Sequence, residues 1–216
     1  MKRLIIIGGG NGALEVMGIL DDINNKSLTY EIIGILDDDS SLHGTKIGEI
    51  LVLGGLDKSK SYSGVRFVFA IGSINTQHKR LNIFERTKLL PDDFEKIIHP
   101  SAKINKTAKI GRGCIIHPGV TLGNNVSLGD FIVLAVNTTL GPYSYVGDFS
   151  LITSHVLLLS HVNIGRFVFI GSMSCVIEKI KIGSHARIGL GSVVGRDVKE
   201  NMVAIGNPLR LLGINS

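Results

Sequence analysis

From Ile98 to Val194 every sixth residue is Ile, Leu or Val: Ile98, Ile104, Ile110, Ile116, Leu122 and Leu128 open the series, and Ile170, Val176, Ile182, Ile188 and Val194 close it. A helix repeats near 3.6 residues and a strand at 2, so neither holds a period of six over this length. Four residues after each repeat position stands a small or aliphatic residue, as at Ala102, Ala108, Cys114, Val120, Ser144, Ser150, Val162, Ala186 and Ser192. Glycine commonly follows the repeat residue. Such a period is the signature of a β-helix, in which each short strand buries one aliphatic side chain and the next hexad turns a corner. Composition agrees: 44% of residues are hydrophobic while only 6% are aromatic and Trp is absent, which suits a core of thin aliphatic layers.

Ahead of the repeat the pattern changes. An apolar run, LIII, meets the glycine turn GGGNG and then ALEVMGILDDI, whose apolar residues recur near helical spacing. A second run, EIIGILDDD, ends in Asp37, Asp38 and Asp39, and VRFVFAIGS supplies a third from Val65 to Ser73. Strands alternating with helices imply a small parallel sheet, a Rossmann-like half-domain over residues 1–96. Gly8, Gly10 and Ala13 satisfy the GxGxx[G/A] fingerprint after a strand and at a helix start, where bare backbone N–H groups can approach a phosphate. A tight turn without a ligand is the competing reading of that motif. Asp37 and Asp38 stand where a ribose hydroxyl would be taken, and Gly72 forms a second glycine turn after the third strand. Arg80 is either near that phosphate site or an ordinary surface charge. The region is too short for the two halves of a dinucleotide fold, which favours a single nucleotide moiety over a nicotinamide cofactor.

The net charge is +5, but Lys and Arg are scattered and no basic run interleaves with aromatics, so a small anionic ligand is expected rather than nucleic acid. Cys114 and Cys175 stand apart with no metal-ligand spacing, which indicates neither a disulfide framework nor a zinc site and suits a reducing cytoplasm. The N-terminal apolar run is far too short for a signal sequence or a membrane span.

Taken together, GGGNG, the AIGS turn, IIHPSAKI opening the repeat and VVGRDVKENMVAIGNPLRLL closing it resemble the hexapeptide-repeat sugar acetyltransferases that modify amino-sugar nucleotides or sialic acids. The resemblance covers nearly the whole chain. It implies a left-handed parallel β-helix with three hexads per coil over residues 97–200, a C-terminal tail over 201–216, and a homotrimer. It also implies acetyl-CoA as co-substrate, a nucleotide sugar or sugar acceptor in the front domain, and a role in surface glycan biosynthesis. Gly8, Gly10, Asn11, Asp37, Asp38 and Gly72 would then hold the acceptor, and the backbone around Gly171, Gly189 and Gly191 would lie against CoA.

The family's base is a histidine that accepts the proton of the attacking amine or hydroxyl. Laid on the VGDF turn at Val146–Phe149, that histidine falls on Pro142, its acidic neighbour on Tyr143, an early Asn on Ala135, and a second histidine on Leu151. None of these accepts a proton at neutral pH. The candidates for a relocated base are His155 and His161, which stack one coil along on Asn137 and Tyr143; exposed corner histidines without catalytic part are the competing reading. Tyr143 or Tyr145 would orient an acceptor. His99 and His117 each precede Pro and read as conformational, and Cys175 as a structural thiol. A member that has lost catalysis, and instead binds a nucleotide sugar or a partner enzyme to regulate a glycan pathway, is the alternative.

Overall fold

The computed structural model describes residues 1–213, and the chain divides after Pro100 into two compact units. The front unit is built on strands β1 (Lys2–Ile7), β2 (Tyr30–Leu36), β3 (Lys46–Ile47), β4 (Ile50–Gly54) and β5 (Arg66–Phe69), with helices α1 (Asn11–Lys26) and α2 (Arg80–Thr87). The sheet order is β3-β4-β2-β1-β5, parallel except for the β3–β4 hairpin. Leu4 to Ile7 are fully buried, as expected of a central parallel strand covered on both faces. On α1, Ala13, Val16, Ile19 and Leu20 form the buried stripe.

Phe94 packs against Phe67, Phe69 and Phe84 at centroid distances of 6.1, 6.1 and 5.5 Å. Arg80 is fully buried with its guanidinium 5.6 Å from the Phe69 ring centre, so it is not a surface charge. The hairpin was not expected from sequence. Its turn is Gly48–Glu49, with Gly48 at φ +57, a two-residue loop that needs the left-handed region.

At the amino-terminal edge of this sheet, Glu95 accepts from Lys2 (2.7 Å), the Tyr30 hydroxyl (3.1 Å) and Arg66 (3.3 Å). Burial alone would raise the Glu95 carboxyl, but Lys2, Tyr30 and Arg66 outweigh it and hold it below its usual range. Burial, and then the Glu95 charge, push Tyr30 up to about 12. A depressed carboxylate stabilises the fold above its unfolded value of roughly pH 4.3, and that contribution is lost as pH falls through the folded value. Glu95→Gln is therefore expected to melt earlier than the native chain at pH 7 and to lose less on acidification below about pH 4. Thermal melts across pH check this, and identical pH profiles would refute it.

In the second unit the repeat residue is the inner member of each two-residue strand. Leu122 pairs with Leu140 and Leu140 with Leu158, so residues eighteen apart stack and each coil holds three hexads of a left-handed parallel β-helix. A first face runs from Lys103–Ile104 to Val193–Val194, a second from Lys109–Ile110 to Lys181–Ile182, and a third from Ile115–Ile116 to Arg187–Ile188. Serines in the second buried slot satisfy themselves. Ser144 Oγ donates to the Leu159 carbonyl (2.9 Å) and accepts from Val162 N (3.2 Å), and Ser150 bridges Gly165 and Val168 in the same way. Such paired hydroxyls cost little in a core.

Corner residues adopt the left-handed region regardless of type, among them Asn137 (φ 59), Tyr143 (61), Phe149 (58), His155 (58) and His161 (62). At the second-to-third corner this builds a flat ladder of Phe131, Phe149, Phe167 and His185, with neighbouring centroids 4.9, 5.3 and 4.9 Å apart. Beyond Val194, Met202–Ile205 adds to the third face beside Arg187–Ile188, and Arg210–Gly213 pairs antiparallel with it, which ends the parallel edge.

Candidate functional site

Strand β1 hands the chain to β2 on one side and has β5 on the other, so the loops after β1 and β5 open side by side at the carboxyl ends, where α/β sheets receive ligands. Gly8 lies at φ +102, and a Cβ there would run into the Ile71 side chain. Gly9 N donates to Asp37 Oδ2 at 2.6 Å. Gly10 is the N-cap of α1 and makes no side-chain cap hydrogen bond; the Ala13 N–H donates to the Gly10 carbonyl (2.9 Å), which leaves the Asn11 and Gly12 N–H groups to face an anion. The close helix-to-strand approach falls on Gly12, whose Cβ would meet the Ala70 carbonyl, while Ala13 is simply buried.

Gly8, Asp37 and Asp38 line a cavity of about 310 Å³ together with Thr76, Lys79, Asn82 and Arg86. Gly10, Asn11 and Gly72 line an adjoining hollow of about 620 Å³ that shares Asp37, Ile71 and Thr76 with the first. All six front-domain candidates thus converge on one edge. The two carboxylates are partly engaged already. Asp37 also accepts from Asp39 N (2.8 Å), and Asp38 accepts from Leu56 N (3.0 Å) and pairs with Arg86 (2.9 Å). They organise the loop as well as facing the cavity. Sequence reasoning missed Thr76, Lys79, Asn82 and Arg86, although spacings of three and four residues place them on one side of a helical segment.

On the β-helix, the two histidine candidates separate. His155 lies at the third-to-first corner, its N–H donating to the Val136 carbonyl (2.9 Å). His161 lies at the first-to-second corner, the one that holds Pro142, and its N–H donates to the Pro142 carbonyl (2.9 Å). Both are exposed. The His161 ring stacks on Tyr143 with centroids 5.0 Å apart and planes 3° apart. His155 follows Asn137 and precedes Met173 in its column, so no ring neighbours it there.

Gly171 and Gly189 occupy tight places between coils: a Cβ on Gly171 would lie 2.5 Å from Leu190 N, and one on Gly189 2.7 Å from Ile205 Cγ1. Gly191, at φ +65, faces open space beside Leu190 and Met173, which are 77% and 68% exposed. These three glycines share the His155 corner, across the first face from His161. His99 is engaged with Asp22 (2.9 Å), His117 is buried, Cys114 is buried with Sγ donating to the Gly129 carbonyl, and Cys175 is partly exposed on the first face.

Residues 3–86 match the PglD N-terminal domain family. The acetyltransferase domain of PglB from Neisseria gonorrhoeae is similar over 98% of this chain and 100% of its own, with 25% identity and a TM-score of 0.86. The same domain in complex with acetyl coenzyme A gives 25% identity and a TM-score of 0.85, over 98% and 99% of the two chains. PerB from Caulobacter crescentus, solved with CoA and GDP-perosamine, is similar over 99% of this chain and 98% of its own, with 24% identity and a TM-score of 0.85. No curated protein matches the chain in sequence. Among the described residues no helix is long and apolar enough to cross a membrane.

Proposed function

We infer that this chain, a hexapeptide-repeat sugar acetyltransferase with a PglD N-terminal domain, transfers the acetyl group of acetyl-CoA to an amine or hydroxyl of a nucleotide-linked sugar. The observation that carries the reading is the match, over 98% of this chain and 99% of the other, to a domain solved with acetyl coenzyme A. The two adjoining front hollows support it: the Asn11 and Gly12 N–H groups at the start of α1, with Lys79 and Arg86 lining the neighbouring cavity, suit a diphosphate, and Asp37, Asp38 and Asn82 offer partners to a sugar or base. Gly8, Gly10, Asn11 and Gly72 are assigned to the same ligand, and Gly171, Gly189 and Gly191 to CoA.

In the reaction, the acceptor nitrogen or oxygen attacks the thioester carbonyl, the new N–C or O–C bond forms, and the C–S bond breaks as the CoA thiolate departs. The acceptor's proton passes to an imidazole and then to the departing sulfur. Of the two candidates we assign His161, because it shares the Pro142 corner and is held there by a stacked ring. The half-exposed apolar residues Leu157, Leu159, Ile177 and Val193 on the first face support a trimer, since closed cyclic symmetry buries them without leaving a growing edge. Acetyl-CoA and nucleotide sugars are metabolites of the cytoplasm, where this reading places the chain, in the making of surface glycans.

Labelled acetyl-CoA offered with UDP-, GDP-, dTDP- and CMP-linked amino sugars, their hydroxyl counterparts and sialic acids tests the reading. Label is expected on one acceptor class. Tight binding of a nucleotide sugar with no transfer to any would support instead the non-catalytic regulator, the reading that Pro142 favours.

A further inference from the structure

We propose that Tyr143 is a positioning residue for the His161 imidazole, supplying the flat support on which that ring accepts the acceptor's proton. The inference rests on the reading above, that His161 is the base. Both side chains leave the helix at left-handed corner residues one coil apart, φ 61 and 62, and both are exposed, so no surrounding core fixes either rotamer. What fixes the imidazole is the phenol: the rings lie 5.0 Å apart and within 3° of parallel. An exposed histidine without such a support samples several rotamers, and a base off its line of approach loses rate steeply.

The chemistry gives the stack a second effect. In taking the proton the imidazole becomes a cation facing an electron-rich ring, inside the roughly 6 Å range over which that attraction acts. The stack is therefore stronger after proton transfer than before it, and an interaction that strengthens along the reaction raises kcat rather than substrate binding. Charged residues stand at this corner on other coils: Glu178 and Lys179 on the coil after His161, with Lys179 next in its column, Arg196 and Asp197 beyond them, and Lys106 on the first coil. His155, with Asn137 and Met173 as its column neighbours, has no such support.

Steady-state transfer by the full-length protein tests this. Tyr143→Asn removes the ring while keeping the backbone, since Asn125 and Asn137 occupy corner positions at φ 55 and 59. It is expected to lower kcat on the order of tenfold with both KM values within about twofold, and Tyr143→Phe, which keeps the stack, to stay within about twofold of native. In a His161→Ala background Tyr143→Asn should cost nothing further, because the ring would have no imidazole to hold. An additive loss in the double variant, or a raised KM with unchanged kcat, would show that Tyr143 touches substrate itself and overturn the proposal. Native rates in Tyr143→Asn beside a slow His161→Ala would defeat the positioning role alone. Native rates in His161→Ala, or no transfer by the native protein, would defeat the base assignment and this proposal with it.

Discussion

Gly10→Val is expected to weaken nucleotide-sugar binding on the order of 100-fold while leaving the melting temperature nearly unchanged, and Gly12→Val to cost the front unit more than about 3 kcal/mol. The two positions are two residues apart and their surroundings differ in kind. Gly10 has ordinary extended dihedrals, φ −83 and ψ −166, and a Cβ built there meets nothing within 4 Å, so the protein itself accommodates valine. The branched side chain then stands in the open space before the first turn of α1, where a phosphate would approach. At Gly12 a Cβ would collide with the carbonyl oxygen of Ala70, a backbone atom at the end of β5 that cannot rotate aside, so helix and sheet must separate. Calorimetric titration with the acceptor, paired with thermal melts, separates the outcomes. A folded Gly10→Val that binds as tightly as the native chain would remove the glycine loop from the ligand site.

The β-helix was legible because its physics is periodic. Each two-residue strand turns its repeat residue inward, so Leu140 pairing with Leu122 and Leu158 follows from spacing once three hexads per coil are assumed. The front sheet was legible where a strand is long and buried, as in β1, and not where it is short. Strand β3 has two residues, and its partner Ile50–Gly54 carries no alternation to announce it. Arg80 stayed open in the sequence for a different reason. Guanidinium groups are nearly always at the surface, whereas this one is buried with the Phe69 ring against it. The C-terminal residues fall out of register after Val194, because the next repeat place is Glu200, and the hairpin that closes the third face has no hexad signal. At the site, spacing placed the two histidines on corners eighteen residues beyond Asn137 and Tyr143. What it did not contain is ring orientation, which distinguishes a stacked imidazole at His161 from one without a ring neighbour at His155.

If His161 is the base and the family histidine aligns with Pro142, as proposed, a histidine placed at residue 142 should rescue a chain that lacks His161. Pro142 costs the fold little: it lacks a backbone donor at a corner place where neither Asn124 nor Ser160, one coil before and after, donates its N–H to the described backbone. The coil below also makes room, since Gly123 has no side chain and a Cβ there would stand 2.9 Å from Pro142 N. His161→Ala is expected to slow transfer ~100- to 10,000-fold, and Pro142→His in that background to recover at least about tenfold, while His155→Ala stays within about twofold of native. The rate should recover in kcat, because the new imidazole would take the proton without altering how either substrate is held. A double variant that folds, binds both substrates and stays as slow as His161→Ala would show that residue 142 no longer looks onto the attacking atom. The proposed chemistry would then belong to the coil of His161 alone, and the corner place of residue 142 would not be interchangeable with it.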